Sequence, residues 1–339
     1  MTKVLKLPQP VWMEPMLATL TDARPAGDGW IYEPKLDGVR CLVFAEDGRV
    51  RLMSRNRKPL DEAYPELVEA LETGVRGNAI LDGEVVAIDP ATGLPSFALL
   101  QRRMGIRNAV AARRSGVAVM LYLFDCLFYE GVNLTSLPLL DRKSVLRDVV
   151  WFDDQVRFTP FKSTGSEAMY REACARGAEG IIAKRAASVY TGTRSGDWLK
   201  LKCVNQQEFV IGGFTDPKGD RDGFGALLVG YYDGGILRYA GKVGTGYDRR
   251  TLLTIHAALR QIERRTSPFG GASPTGADVH WVTPAVVAQI GFAEWTPGGL
   301  LRHPRFIGIR HDKSPAQVGR ERAVTSRAAS RSASPRSRP

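Results

Sequence analysis

The chain has 339 residues, 44% of them hydrophobic, and carries 47 lysines and arginines against 36 acidic residues, a formal net charge of +11. That apolar content is ample for a packed core and excludes wholesale disorder. No apolar stretch approaches the roughly 20 residues of a membrane helix, and Met1-Thr2-Lys3-Val4-Leu5-Lys6 has no apolar signal core, so a soluble cytoplasmic protein without a membrane partner is expected. The length fits two domains, and the basic balance favours a polyanion such as nucleic acid.

The first informative segment is Glu33-Pro34-Lys35-Leu36-Asp37-Gly38-Val39-Arg40. A lysine can attack a phosphorus centre only when neutral, and a free lysine titrates near ~10.4. Cations or desolvation must therefore lower the pKa of Lys35, and Arg40, Lys184, Lys200 and Lys202 are the cations on offer. The bland alternative is a surface Asp-Gly turn. Residues 39–54 read as a hairpin about Glu46-Asp47-Gly48. Residues 62–73 carry helical periodicity through Leu67, Val68 and Leu71. Strands follow at 79–89 and 117–129, the second almost wholly apolar and so central. Helices are predicted at 139–150 and 166–176, and strands at 180–184 and 198–204.

The pattern changes near residue 205. Five strands are predicted at 208–214, 225–232, 236–243, 286–295 and 305–310, with a helix at 248–264 between the third and fourth. That is the order of an OB-type barrel, another small antiparallel barrel being the alternative. Residues 314–339 hold six arginines against one glutamate among Ser, Ala and Pro, and are expected to form a disordered basic tail. The expected division is thus 1–204, 205–313 and a tail at 314–339. The four cysteines form no Cys-x-x-Cys pair, which argues against structural zinc. Cys41, Cys126 and Cys203 lie in apolar strand-like runs and read as buried free thiols in a reducing cytosol.

A phosphate-binding Gly-x-x-x-x-Gly-Lys-Ser/Thr is missing, and Gly241-Lys242-Val243-Gly244-Thr245-Gly246 reads as a hairpin end. Lys200 and Lys202 alternate with Leu199 and Leu201, which puts both ammoniums on one strand face. Besides the Lys35 octapeptide, the chain holds Ser54-Arg55-Asn56, Leu81-Asp82-Gly83-Glu84-Val85-Val86 and Tyr122-Leu123-Phe124-Asp125. Then come Glu179-Gly180-Ile181-Ile182-Ala183-Lys184, Trp198-Leu199-Lys200-Leu201-Lys202 and the run from Arg302 to Lys313. This ordered series resembles the motifs of the covalent nucleotidyltransferases, specifically the ATP-dependent DNA ligases. Pro15-Met16-Leu17-Ala18, Val210-Ile211-Gly212-Gly213-Phe214-Thr215 and Tyr239 to Gly246 look like the ligase module of bacterial non-homologous end-joining proteins.

The resemblance implies an α+β fold: an adenylation (nucleotidyltransferase) domain of antiparallel sheets followed by an OB-fold β-barrel. It implies that Lys35 takes up AMP from ATP, passes it to the 5′-phosphate of nicked or broken double-stranded DNA, and that the 3′-hydroxyl then seals the strand. Asp37 and Gly38 would aim Lys35, Glu33 would face the adenine edge, and Phe124 would stack on the base. An ordinary surface acid and plain core packing are the alternatives for those last two. Glu179 and Glu84 would sit near the metal and the ribose, with Mg2+ or Mn2+ as the ion. Lys200 and Lys202 would face the phosphates, favour a neutral Lys35 and stabilise charge in the transition state. Arg40, Arg55 and Arg302 would lie on the DNA side, Arg40 and Arg310 near the nucleotide, and Asp312 and Lys313 with them in the terminal motif, a face that in relatives swings over the nucleotide. A monomer is expected, with the bacterial Ku end-binding protein as a partner the resemblance allows. The rival readings are an RNA ligase, a capping-type guanylyltransferase, or a catalytically inactive nucleic-acid-binding protein.

Overall fold

The structure is a computed structural model that describes residues 7–25, 27–217, 219 and 222–322. It divides into two compact units, one reaching to Cys203 and the other running from Val204 to Glu321.

The first unit contains β1 (Leu17–Leu20), β2 (Trp30–Pro34), β3 (Val39–Glu46), β4 (Arg49–Ser54), α1 (Pro65–Gly74), β5 (Ala79–Ala87), α2 (Phe97–Leu100) and α3 (Ala109–Arg114). It continues through β6 (Val119–Tyr129), β7 (Val132–Asn133), α4 (Leu139–Val149), β8 (Val156–Phe158), α5 (Ser166–Ala175), β9 (Gly180–Arg185) and β10 (Arg194–Lys202). Two sheets result. One has the order β4-β3-β5-β6-β7, with β8 added alongside β6, and the other the order β1-β10-β9-β2. The apolar run predicted as a central strand is β6, paired with β5 on one side and with β7 and β8 on the other. The two sheets meet through Leu42, Phe44, Ile80 and Phe124 from the first and Ile31 and Trp198 from the second.

Alternation explains the smaller sheet. Trp30, Tyr32, Ile181, Ala183, Leu199 and Leu201 fill one face, against Met169, Tyr170 and Ala173 of α5. The opposite face carries Ile31, Glu33, Lys184, Trp198, Lys200 and Lys202. The strands β1 and β2 were not anticipated: four and five residues are too short to show a period, and β1 pairs in parallel with β10 far along the chain.

The cysteine reading needs correction. Cys203 is not a buried free thiol but is disulfide-bonded to Cys174, with Cα atoms 5.0 Å apart. The period that places Leu199 and Leu201 beneath α5 carries Cys203 to the same side, where Cys174 ends that helix. Cys41 and Cys126 are buried and free.

The second unit contains β11 (Asn205–Thr215), β12 (Leu227–Asp233), β13 (Ile236–Val243), α6 (Arg249–Arg260), β14 (Glu263–Arg264), β15 (Val279–Phe292), β16 (Glu294–Trp295), β17 (Leu301–Arg302) and β18 (Arg305–Ile309). Its main sheet runs β13-β12-β11-β15-β14, with β18 on β15. A register break at Gly212 lets the long β11 curl and pair with both β12 and β15. This is an OB-like curled sheet, with α6 between the third and fourth long strands. Asp248 caps α6, its Oδ1 accepting from Thr251 N at 2.7 Å. The helix ends at Arg260 rather than 264 because Glu263 and Arg264 pair with β15.

The expected tail begins too early at 314. Pro315–Gln317 forms a 3-10 turn, Val318 is buried and its carbonyl accepts from Tyr232 N at 2.7 Å, and the Arg320 guanidinium lies 4.2 Å over the Trp295 ring. A buried valine and an available aromatic face outweigh the polar composition of this stretch. Residues 323–339, which the tail reading also covers, lie outside the described residues.

Candidate active site

Three neighbouring strands converge on Lys35. It follows β2 directly, and its amide donates to Gly180 O at 3.0 Å. Gly180 opens β9 opposite Lys202, the last residue of β10. Glu179 lies just before that glycine, and its carbonyl accepts from Cys203 N at 3.0 Å. Two glycines make the convergence possible. A Cβ at Gly38 would fall 2.1 Å from Val85 O, and one at Gly180, where φ is +141°, would fall 2.0 Å from Leu201 O.

The Lys35 ammonium forms an ion pair with the Glu179 carboxylate, both side chains being largely buried. Here the electrostatic expectation fails. Burial alone would depress the Lys35 pKa, but Glu179, with Asp37 and Glu84 behind it, outweighs burial and raises it. The leading charges acting on this lysine are acids. Lys184, expected to be one of the depressing cations, instead binds Glu33. Lys200 and Lys202 stand half-buried on the same strand face, as alternation predicts.

Two residues from Lys35 the charges reverse. Glu33 is buried, with Oε1 2.6 Å from Lys143 Nζ and Oε2 2.7 Å from Lys184 Nζ. Burial pushes its pKa up, but the two ammoniums together pull it below the ordinary value. Lys184 lies 4.2 Å over the Phe124 ring and 3.9 Å over Trp198, and Lys143 lies over Phe158 and Phe161. Burial pushes the Lys184 pKa down to about 8 despite Glu33. The expected adenine-facing carboxylate thus has an ammonium beside each oxygen, though Oε1 and Lys143 Nζ meet without a hydrogen bond, and Phe124 is buried in the core with cations over its ring. Lys143 was missed. It follows Arg142 on the buried side of α4, and a buried lysine leaves no trace in hydrophobic periodicity.

The larger sheet brings in Arg40 and Glu84, which face each other across β3 and β5. Arg40 binds Asp82 in a bidentate pair, Nε donating to Oδ1 at 2.5 Å, and lies 4.6 Å over Phe124. A second buried bidentate pair, Arg142 to Asp125, lies alongside. Arg55 sits half-buried in the turn after β4. In the second unit, Arg310 is buried and bidentate to Asp312, at 2.9 and 2.8 Å. Lys313 pairs with Glu208 at 3.0 Å, and Arg302 makes an exposed pair with Glu294 at 2.6 Å.

Comparison with known proteins bears on this arrangement. The profile of the ATP dependent DNA ligase domain matches residues 15–202, and that of the ATP dependent DNA ligase C terminal region matches residues 220–313. The multifunctional non-homologous end joining protein LigD of Pseudomonas aeruginosa is 39% identical over 94% of this chain, which spans 38% of that relative. A DNA ligase of Natronomonas pharaonis is 35% identical over 89% of this chain and 56% of its own length. The chain therefore spans roughly two fifths of the length of the end-joining relatives it matches. Among solved structures, a mycobacterial DNA ligase D complexed with ATP and MES superposes with a TM-score of 0.64 at 34% identity, covering 91% of this chain and 98% of that one.

Proposed function

Because the chain belongs to the ATP-dependent DNA ligases, we propose that it seals 5′-phosphate/3′-hydroxyl breaks in double-stranded DNA through an AMP adduct on Lys35. The observation that carries this reading is the Lys35–Glu179 contact at the junction of β2, β9 and β10, inside the matched ligase domain.

Lys35 must lose a proton before its nitrogen can attack, and Glu179, its ion-pair partner, is placed to take it. Formation of the N–P bond at the α-phosphorus of ATP breaks the bond to the β-phosphate oxygen and releases pyrophosphate. AMP then passes to a 5′-phosphate, and attack by the 3′-hydroxyl closes the strand and frees AMP. Lys200 and Lys202 share the strand face that leads to Lys35 and supply cations for the triphosphate. Glu179 and Glu84 offer the hard oxygen donors that Mg2+ or Mn2+ takes, and such an ion would neutralise phosphate charge when bound. Among the described residues no cluster of three or more His, Cys, Asp or Glu could hold an ion, so its remaining ligands would be water and phosphate oxygens. Arg40, Arg55 and Arg302 are assigned to DNA, and Arg310 to the nucleotide. Glu33 is assigned to the adenine edge and Phe124 to the face of the base.

Action in end joining, with Ku as a partner, is proposed from the likeness to the LigD proteins; a monomer is proposed from the single complete set of motifs. Among the described residues no helix is long and apolar enough to cross a membrane. Incubation with α-labelled ATP and Mg2+ should label the protein, and chasing with a nicked duplex should transfer the label. Equal labelling of Lys35→Ala would refute the mechanism. Preference for GTP, or for nicked RNA, would support the capping or RNA-ligase alternatives. DNA binding without closure would support an inactive binding protein.

A further inference from the structure

Tyr190 lies between β9 and β10, outside the motif segments quoted above. Its position is nonetheless closely determined. It is buried, its ring stands edge-on to Trp198 with centroids 5.7 Å apart, and its amide donates to Thr135 O at 2.8 Å. Its hydroxyl donates to Asp82 Oδ2 at 2.6 Å and accepts from Met16 N at 2.9 Å. Asp82 is fully buried and spends both oxygens on Arg40. Arg40 Nη2 also donates to Met16 O at 3.2 Å. The four residues close a circuit: Tyr190 holds Asp82, Asp82 holds Arg40, and Met16 ties Arg40 back to Tyr190. Burial and the Asp82 carboxylate both raise the Tyr190 pKa, so the hydroxyl keeps its proton and remains a donor.

We propose that Tyr190 is a positioning residue for the DNA steps, its hydroxyl fixing Asp82 so that Arg40 is held at one angle toward the 5′-phosphate. This rests on the assignment of Arg40 to the DNA side. Arg40 is the member of the circuit with side chain still exposed, 18% against 0% for Asp82. A guanidinium recognises phosphate through a planar fork, so its usefulness depends on orientation as well as charge. Without the hydroxyl, Asp82 Oδ2 loses one of its donors, Met16 N loses its acceptor, and the fork gains freedom to tilt.

The test separates the steps. Wild type, Tyr190→Phe, Arg40→Ala and a protein with 4-aminophenylalanine at position 190 are compared for Lys35 labelling, then as preformed adenylates mixed with excess nicked duplex in single turnover. Tyr190→Phe is expected to label Lys35 at near the wild-type rate but to transfer AMP about tenfold more slowly, the scale of one lost hydrogen bond. The 4-aminophenylalanine protein, which restores an N–H donor toward Asp82, is expected to recover the transfer rate. Equal slowing of both steps by Tyr190→Phe, or of neither, overturns the proposal, as does a folded aminophenylalanine protein that still transfers slowly. Should Tyr190→Phe fail to fold, the aminophenylalanine protein and Arg40→Ala decide. Wild-type transfer by Arg40→Ala removes the role of Arg40 itself and the proposal with it; slow Arg40→Ala beside fast Tyr190→Phe overturns only the Tyr190 link.

Discussion

Glu33 and Lys35 lie two residues apart on one strand end, yet their surroundings have opposite character. Glu33 is a single carboxylate between two ammoniums, walled by Phe124, Trp198, Phe158 and Phe161. Lys35 is a single ammonium under the influence of three carboxylates, at a partly open edge. A buried cluster of opposite charges holds a shape, because removing one member strands another charge in a poor solvent. An acidic edge holds its lysine charged, and a phosphate-bound cation taken up by Glu179 and Glu84 would weaken that hold. The difference teaches that charge sign at a sequence motif is a poor guide to which neighbour each group meets.

The largest effect should come from the edge. Lys35→Arg keeps a cation beside Glu179 but provides no amine to attack phosphorus. Adenylylation should fall by at least on the order of a thousandfold, while the urea midpoint stays near wild type. A labelled Lys35→Arg enzyme would erase the contrast between the two regions. Lys143→Met should do the reverse. It leaves the Glu33 carboxylate with Lys184 alone and should cost about 3–5 kcal/mol in a urea titration. Replacing Glu33 by Leu and Lys184 by Met in the same protein should return much of that loss, because no buried charge is left unpaired. Additive losses instead would show that packing, not pairing, holds the cluster.

The other face of the same sheet gives a smaller test. The Cys174–Cys203 bridge closes a loop of 29 residues and pins α5, a helix without a fully buried residue, to the strand end that carries Lys202. Loop-closure entropy puts the bridge at about 3–4 kcal/mol. Thermal melts with and without reductant should differ accordingly in wild type and not in Cys174→Ser. Identical melts would show that α5 is held by Met169, Tyr170 and Ala173 alone.

Most of the fold was legible because alternation and turns speak plainly. The 39–54 hairpin, the apolar β6 and the split of Lys200 and Lys202 from Leu199 and Leu201 all follow from period-2 patterning. The residues lost to the sequence are those whose partners are distant and whose burial breaks the composition rule. Lys143 and Arg142 are charges on the buried side of a helix. Cys203 needed α5 to be placed before its partner could be guessed, and Tyr190 carries no motif. Motif order singled out Lys35 but not its electrostatic state, which depends on Glu84 and Glu179 from separate segments as well as on the neighbouring Asp37.

The smallest effect, in pH dependence, also discriminates most finely between the regions. Burial lowers the Lys184 pKa to about 8, so its charged form costs stability at lower pH. As pH rises from about 8 toward 10.5, folded Lys184 loses its proton while the unfolded chain keeps it. The unfolded state then binds more protons, and stability should rise across that window relative to Lys184→Met. Lys35 has the opposite sign. Its pKa is raised, so its contribution is complete below 10.5 and lost only as pH climbs through the higher folded value. The rate of adenylylation should therefore increase with pH throughout the range where the protein stays folded. Glu179 is the leading group that lifts this pKa, so Glu179→Gln should move the rise to lower pH even as it lowers the highest rate reached. The initial rate of AMP labelling against pH for both proteins measures this, and an unshifted profile would mean that substrate, not Glu179, sets the protonation of Lys35.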